Sequence, residues 1–232
     1  MESGGCAGHR KGEENLMARF DLVAFDCDGV LVDSEPITCG VLMEMLNELG
    51  WPITLEETIH TFVGRSFRDE LRMIEARLGK PLAADFYACF LQRRDAGLKA
   101  GVEPVRGVQT ALEELVRMRM PFCVASGAER AKMQLTLGRT GLLPWFEGNL
   151  FSGMEVARSK PAPDVYLLAA ETMGMAPARC AVVEDTPVGV AAGVAAGMTV
   201  FGYAERTNAD SLLEAGAALI FTDMAALPEL VR

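Results

Sequence analysis

The chain has 232 residues, half of them hydrophobic, and a formal net charge of −10. That length suits one large domain, or a core with a smaller insert. The negative charge argues against nonspecific nucleic-acid binding and against an anionic membrane surface as a partner, while a phosphate-bearing ligand stays open, because a bound cation and a few local donors override net charge.

The first sixteen residues, MESGGCAGHRKGEENL, are polar and Gly-rich, without periodicity and without the apolar segment of a signal peptide. They read as a disordered extension or an expression remnant, with Met17 a plausible native start. Six cysteines stand singly at 6, 27, 39, 89, 123 and 180, with no CxxC pair and no zinc-type spacing. A reduced, cytoplasmic protein is expected. Cys123 and Cys180 fall in apolar runs and read as small core residues.

Residues 20–34, FDLVAFDCDGVLVDS, organise the rest. An apolar run stops at Asp26, a second carboxylate follows at Asp28, and Gly29 lets the chain turn. Such a run reads as a buried strand. In an open α/β sheet the ligand crevice lies beyond the carboxyl ends of the strands, so both acids are expected at its mouth. Carboxylates this close repel unless something positive sits with them. On its own the pattern also fits a solvated acidic turn.

From 35 to about 100 no strand is evident. Val41, Leu42, Met45, Leu46 and Leu49 mark one face of a helix over 37–49. Thr54 with Glu57 spells a capping box, and Ser66 with Asp69 another. A further helical pattern covers 82–99. GVEPVRGV (101–108) reads as the return linker from this helical insert, which is expected over 35–103. Strand–helix alternation then takes over: helix 108–119, strand 121–125, helix 129–138, strand 149–152, helix 163–173, strand 180–184, helix 187–196, strand 198–202, helix 208–215, strand 218–221 and a short tail helix. This order predicts an α/β fold, a Rossmann-like parallel sheet with helices on both faces, interrupted by the helical insert. Residues 186–204 carry no charge and are long enough to span a membrane. Their Ala and Gly content favours a buried helix and strand instead. Gly189, Gly193 and Gly197 recur every four residues, as close helix–sheet packing with a terminal glycine would require.

Three more strand ends carry polar residues. Ser126 precedes Gly127, and with Glu129 it spells a capping box; the same geometry also makes an anion site. Lys160, in RSKPAPD, is placed at a helix start, where the dipole disfavours a cation and an anionic partner is suggested. Glu184 and Asp185 close the strand CAVVED ahead of Thr186 and Pro187, which cap the next helix.

In order, DxDGVLVDS, the strand-ending Ser126, Lys160-Pro161-Ala162-Pro163 and VVEDT resemble the four motifs of the haloacid dehalogenase superfamily of phosphatases, in the β-phosphoglucomutase/phosphoglycolate-phosphatase-like branch with a helical cap. The resemblance covers roughly residues 18–232. It implies Asp26 as nucleophile and Asp28 as general acid/base. It implies Ser126, with Gly127, as phosphoryl-binding and Lys160 as the cation neutralising nucleophile and phosphate. It also implies Mg²⁺ held by Asp26, Asp185, the Asp28 backbone carbonyl and Glu184. The presence of Asp28 argues against dehalogenation. The segment SEPITCG lacks the histidine of the related sugar-phosphate mutases, which remain the alternative, with a non-catalytic phosphometabolite-binding protein behind them. The only histidines are His9 and His60. The expected substrate is a sugar or sugar-acid phosphate such as 6-phosphogluconate, with Arg65 of the cap as a candidate contact and an exposed arginine as its plain alternative. A monomer or weak homodimer is expected.

Overall fold

The computed structural model describes residues 20–63 and 67–232. The N-terminal extension, and Arg65 with the Ser66 cap, lie outside the described residues. β1 (Leu22–Phe25) is wholly buried. It pairs in parallel with β4 (Phe122–Ser126) on one side and β6 (Cys180–Glu184) on the other. With β5 (Leu150–Ser152), β7 (Thr199–Tyr203) and β8 (Leu219–Phe221) the sheet runs β5-β4-β1-β6-β7-β8, every pair parallel. After β1 the chain builds outward through β4 and β5, then returns to β6 on the other flank. The carboxyl end of β1 is therefore the topological switch point.

A sheet covered on both faces needs strands that are apolar at every position. Val23, Phe25, Phe122, Val124, Ala181 and Val183 pack on one face, beneath α5 (Val108–Arg117) and α6 (Arg130–Arg139). Leu22, Ala24, Cys123, Ala125, Cys180 and Val182 pack on the other, against α7 (Asp164–Thr172) and α8 (Pro187–Ala195). Cys123 and Cys180 are thus small core residues with free thiols. The uncharged stretch 186–204 divides into α8 and β7. A Cβ on Gly193 would lie 2.6 Å from Val200 Cγ2, so α8 sits on the sheet at glycine distance. Among the described residues no helix is long and apolar enough to cross a membrane. α9 (Ala209–Glu214) and α10 (Leu227–Leu230) complete the core.

The segment between β1 and α5 carries α1 (Glu35–Glu48), α2 (Leu55–Phe62), α3 (Phe67–Leu78) and α4 (Phe86–Gly101). These share a third apolar cluster of Leu42, Met45, Leu46, Ile53, Phe62, Ile74, Phe86 and Phe90. The Thr54–Glu57 capping box is present: Glu57 N–H donates to Thr54 Oγ1 at 3.2 Å, and Thr54 N–H to Glu57 Oε2 at 2.8 Å.

Three local expectations fail. The return linker contains a strand, β3 (Glu103–Pro104), antiparallel to β2 (Val32–Asp33), with Val105 N–H donating to Leu31 O at 3.0 Å. Two residues a side are too few to show a period of two. The fourth helix begins at Phe86 rather than 82, because Leu82 N–H is drawn back to Glu75 Oε1 at 3.0 Å. The Ser126–Glu129 capping box is absent. Glu129 itself is the N-cap of α6, and Ser126 Oγ instead accepts from Ala128 N–H at 3.2 Å, inside a tight turn.

Candidate active site

The strand ends of β1, β4 and β6, with the loop before α7, converge on a cleft of about 330 Å³. Asp26, Asp28, Ser126, Gly127, Lys160 and Glu184 all line it from the sheet side. The last residues of β4 and β6, the residues just past β1 and the turn before α7 meet there because parallel strands all point their carboxyl ends one way.

Lys160 is 8% exposed and holds two carboxylates at once. Its Nζ donates to Asp26 Oδ1 and to Glu184 Oε1, each at 2.6 Å. Burial alone would push this ammonium down, but the charges of Asp26 and Glu184 outweigh it and hold it well above its ordinary value. Lys160 does not open a helix. It sits in a turn, joined to Pro161 by a cis peptide, and α7 starts four residues later. The helix-dipole argument for its partner therefore does not apply; the two buried acids are what place it.

Asp26 is buried, and that burial, opposed by Lys160 and reinforced by Glu184 and Asp28, pushes its carboxyl up to about 6. Asp28 faces a different balance. Burial would raise it, but Lys132 Nζ at 2.8 Å from Oδ2, and the Ser34 hydroxyl donating to Oδ1, hold it below its ordinary value. Ser126 is nearly inaccessible, and its turn is tied down by Ser152 Oγ donating to Ala128 O at 2.6 Å and by Gly153 N–H donating to Ser126 O at 2.7 Å.

Glu184 and Asp185 differ sharply. Glu184 Oε1 takes Lys160 and the Tyr166 hydroxyl; Oε2 takes the backbone N–H groups of Asp185 and Thr186 and the Thr186 hydroxyl, each at 3.0 Å. Thr186 Oγ1 in turn accepts from Gly189 N–H at 3.1 Å, capping α8. Asp185 is buried with no partner for Oδ1 among the described residues. Burial, then Glu184, Glu35 and Asp26, push its carboxyl far up. A Cβ on Gly29 would lie 2.0 Å from Asp185 Oδ2, so this approach exists only because residue 29 is glycine, at a φ of +74° that glycine alone adopts freely. A buried acid oxygen without a donor, close to other acids, fits a hard cation. No cage of three or more His, Cys, Asp or Glu side chains occurs among the described residues. Mg²⁺ does not require one, since it is usually bound by one or two carboxylates with water and substrate oxygen.

Lys132, Ser34, Tyr166 and the cleft-lining Glu35 and Thr38 escaped the sequence reading. Lys132 did leave a signal. It lies in the first turn of α6, where a cation opposes the helix dipole. His60 is exposed on α2, and His9 lies outside the described residues.

A fold of this topology with an Asp-x-Asp turn at its switch point, a buried lysine and an acidic pair one strand away defines a hydrolase class, and the comparisons agree. The model of the haloacid dehalogenase-like hydrolases matches residues 20–197. The chain belongs to that family, and within it to the phosphatases. It is 31% identical over 215 residues to 6-phosphogluconate phosphatase of Escherichia coli K12, covering 92% of this chain and 96% of the relative. It is 30% identical over 197 residues to hexitol phosphatase A of the same organism, covering 84% and 88%. Among solved structures it is similar to a HAD family hydrolase of Deinococcus radiodurans R1 with bound phosphate and sodium, at a TM-score of 0.79 and 33% identity, covering 93% and 99%.

Proposed function

We propose that this protein hydrolyses a small phosphorylated sugar-type metabolite, with Mg²⁺, through an aspartyl-phosphate on Asp26. The observation that carries this reading is the division of labour at the end of β1. Two carboxylates two residues apart are each given a separate cation, Lys160 for Asp26 and Lys132 for Asp28. Lys160 engages Asp26 Oδ1 only, leaving Oδ2 as the attacking atom. That oxygen forms the bond to phosphorus while the bond to the leaving alkoxide breaks. Asp28 delivers a proton to the departing oxygen. It then takes a proton from the water that attacks phosphorus, releasing phosphate and restoring the Asp26 carboxylate. The Lys132 charge and the Ser34 hydroxyl hold it in the ionised form that can accept this proton. Ser126, Gly127 and Lys160 would hold the phosphoryl oxygens.

Asp26, Asp185 and the Asp28 carbonyl would hold the metal, which when bound supplies positive charge to the nucleophile and the transferring phosphoryl group. Glu184 serves differently from a ligand in this reading, because both of its oxygens are already engaged. It anchors Lys160. Hydrolysis is preferred over mutase chemistry because no described histidine lies in the cleft.

Residues 35–103 would act as a cap over the cleft, turning about Ser34–Glu35 and the Gly101–Gly107 segment to exclude water during transfer and admit it afterwards. Arg65 is retained as a leaving-group contact on the strength of the sequence alone.

The test is purified Asp26→Asn with p-nitrophenyl phosphate, beside wild type with and without EDTA. The amide keeps the shape and loses the nucleophile, so turnover should vanish while the circular dichroism spectrum stays. EDTA should stop the wild type, and added Mg²⁺ should restore it. Supplying a sugar monophosphate with trace bisphosphate should yield free phosphate; isomerised sugar phosphate without phosphate release would establish a mutase instead.

A further inference from the structure

The roof of the cleft is built from the helical segment, and its chemistry differs from that of the floor. Glu35, Thr38, Cys39 and Glu70 line it beside the apolar Leu42, Phe62 and Phe90. The carboxylate of Glu35 has no hydrogen-bond or ion-pair partner among the described residues, whereas Asp26, Asp28 and Glu184, the acids of the floor that line this cleft, each have one. Thr38 Oγ1 is buried and likewise without a partner. Glu35 and Thr38 stand three residues apart at the start of α1, on the same face, so they address one spot. Buried or half-buried polar groups are normally satisfied, and two unsatisfied neighbours facing a cavity point to groups supplied by what fills it.

A carboxylate and a hydroxyl in that position ask for hydroxyl hydrogens. The carboxylate offers nothing to an anion. The cations that line the cleft, Lys132 and Lys160, are both on the floor and both committed, to Asp28 and to Asp26 with Glu184. A leaving group with its own carboxylate would meet Glu35, and the cations whose charges reach Glu35, Lys132 and Arg206, are already paired with Asp28 and Asp33.

Resting on the phosphatase reading above, we infer that Glu35 and Thr38 select the leaving group, and that they select a neutral polyhydroxylated one: a polyol or neutral sugar phosphate rather than a sugar-acid phosphate. Glu35 accepts from substrate hydroxyls, and Thr38 exchanges a hydrogen bond with one of them. The apolar residues beside them cover the carbon chain. The cleft, at about 330 Å³, is at the lower end of small-ligand pockets and suits a substrate of a few carbons.

The deciding substrates are glucitol 6-phosphate and gluconate 6-phosphate, which differ only in a terminal CH₂OH against a carboxylate. Measured above neutral pH, so that Glu35 is ionised, wild-type kcat/KM should favour the polyol ester by about fivefold or more, roughly the effect of one like-charge encounter across a wet cleft. Glu35→Gln removes the charge and keeps an acceptor, so it should narrow the ratio by raising the sugar-acid ester relative to the polyol. Thr38→Val, of nearly the same shape, should weaken the polyol ester chiefly through KM. Equal kcat/KM for the two esters, or preference for the sugar acid, overturns the inference while leaving the phosphatase reading intact. If the sugar-acid preference also collapses in Arg65→Ala, the arginine governs the leaving group in place of Glu35. An unchanged ratio in Glu35→Gln also overturns it. Failure to release phosphate from either ester or from p-nitrophenyl phosphate overturns both readings together.

Discussion

The floor and the roof of the cleft carry similar residue types and treat them in opposite ways. On the floor each acid is matched. Lys160 bridges Asp26 and Glu184, Lys132 and Ser34 hold Asp28, and Tyr166 and two backbone amides complete Glu184. The exception is Asp185, whose orphan oxygen fits a cation. On the roof Glu35 and Thr38 have no side-chain partner among the described residues. Groups whose partners come from the chain are fixed before substrate arrives, and that preorganisation is what chemistry at a fixed atom needs. Groups whose partners come from outside are free to discriminate. In the proposed reading, reaction and choice are housed in different parts of the chain, one at strand ends and the other on a helical excursion.

The sharpest way to break this comparison is to strike the floor. Asp28→Asn should lower kcat by about 10²–10⁴-fold on every ester, since general acid–base help is of that order. A loss confined to one substrate would move Asp28 into the specificity class. Lys132→Met should follow with a smaller loss, again across substrates, because it removes the cation that orients Asp28; a double variant with Asp28→Asn should lose little more than Asp28→Asn alone. Burial beneath the floor should matter for stability rather than choice. Gly193→Ala would bring a methyl within 2.6 Å of Val200 Cγ2 and should cost about 1–3 kcal/mol. Read by thermal unfolding, that is a fall of roughly 2–4 °C per kcal/mol for a chain of this size. The smallest effect belongs to the roof. Thr54→Ala deletes the capping box of α2 and should cost about 1 kcal/mol in a urea titration. Turnover of p-nitrophenyl phosphate should be unchanged; a large loss would show that the helical segment shares in the chemistry.

Much of the floor was legible because its signals are local. A buried strand announces itself as an apolar run, and Asp26 is the residue at which that run stops. Thr186 and Pro187 explain the start of α8 without explaining two acids before it. What stayed hidden depends on partners distant in sequence. Lys132 finds Asp28 across 104 residues, a pairing no spacing rule reveals. The same separation of scales hides the cause of Lys160's position: its flanking prolines suggest a helix start, and its cause is a pair of acids gathered by the sheet. Ser126 was placed rightly at a strand end, but its cap was not, because the SGA turn moves the start of α6 one residue beyond the box. Glu35 is hidden for a simpler reason: an unpaired side chain is visible only when its surroundings are.

The two-stranded ribbon of β2 and β3 has a consequence for the history of such a chain. Val32 pairs with Pro104 and Asp33 with Glu103, so the departing and returning segments stand side by side, a few ångströms apart. The sheet experiences the whole helical excursion as a loop whose ends are already tied. Once ends are tied, lengthening a loop is cheap, each doubling costing only about 0.6 kcal/mol. α1 to α3 can be lengthened, shortened or replaced with little mechanical signal reaching Asp26 or Lys160, whereas α4 is tied to the core by Leu98 and by Arg139 Nε donating to Lys99 O at 3.0 Å. Such a chain can acquire new tastes by trading its excursion while inheriting its reaction unaltered.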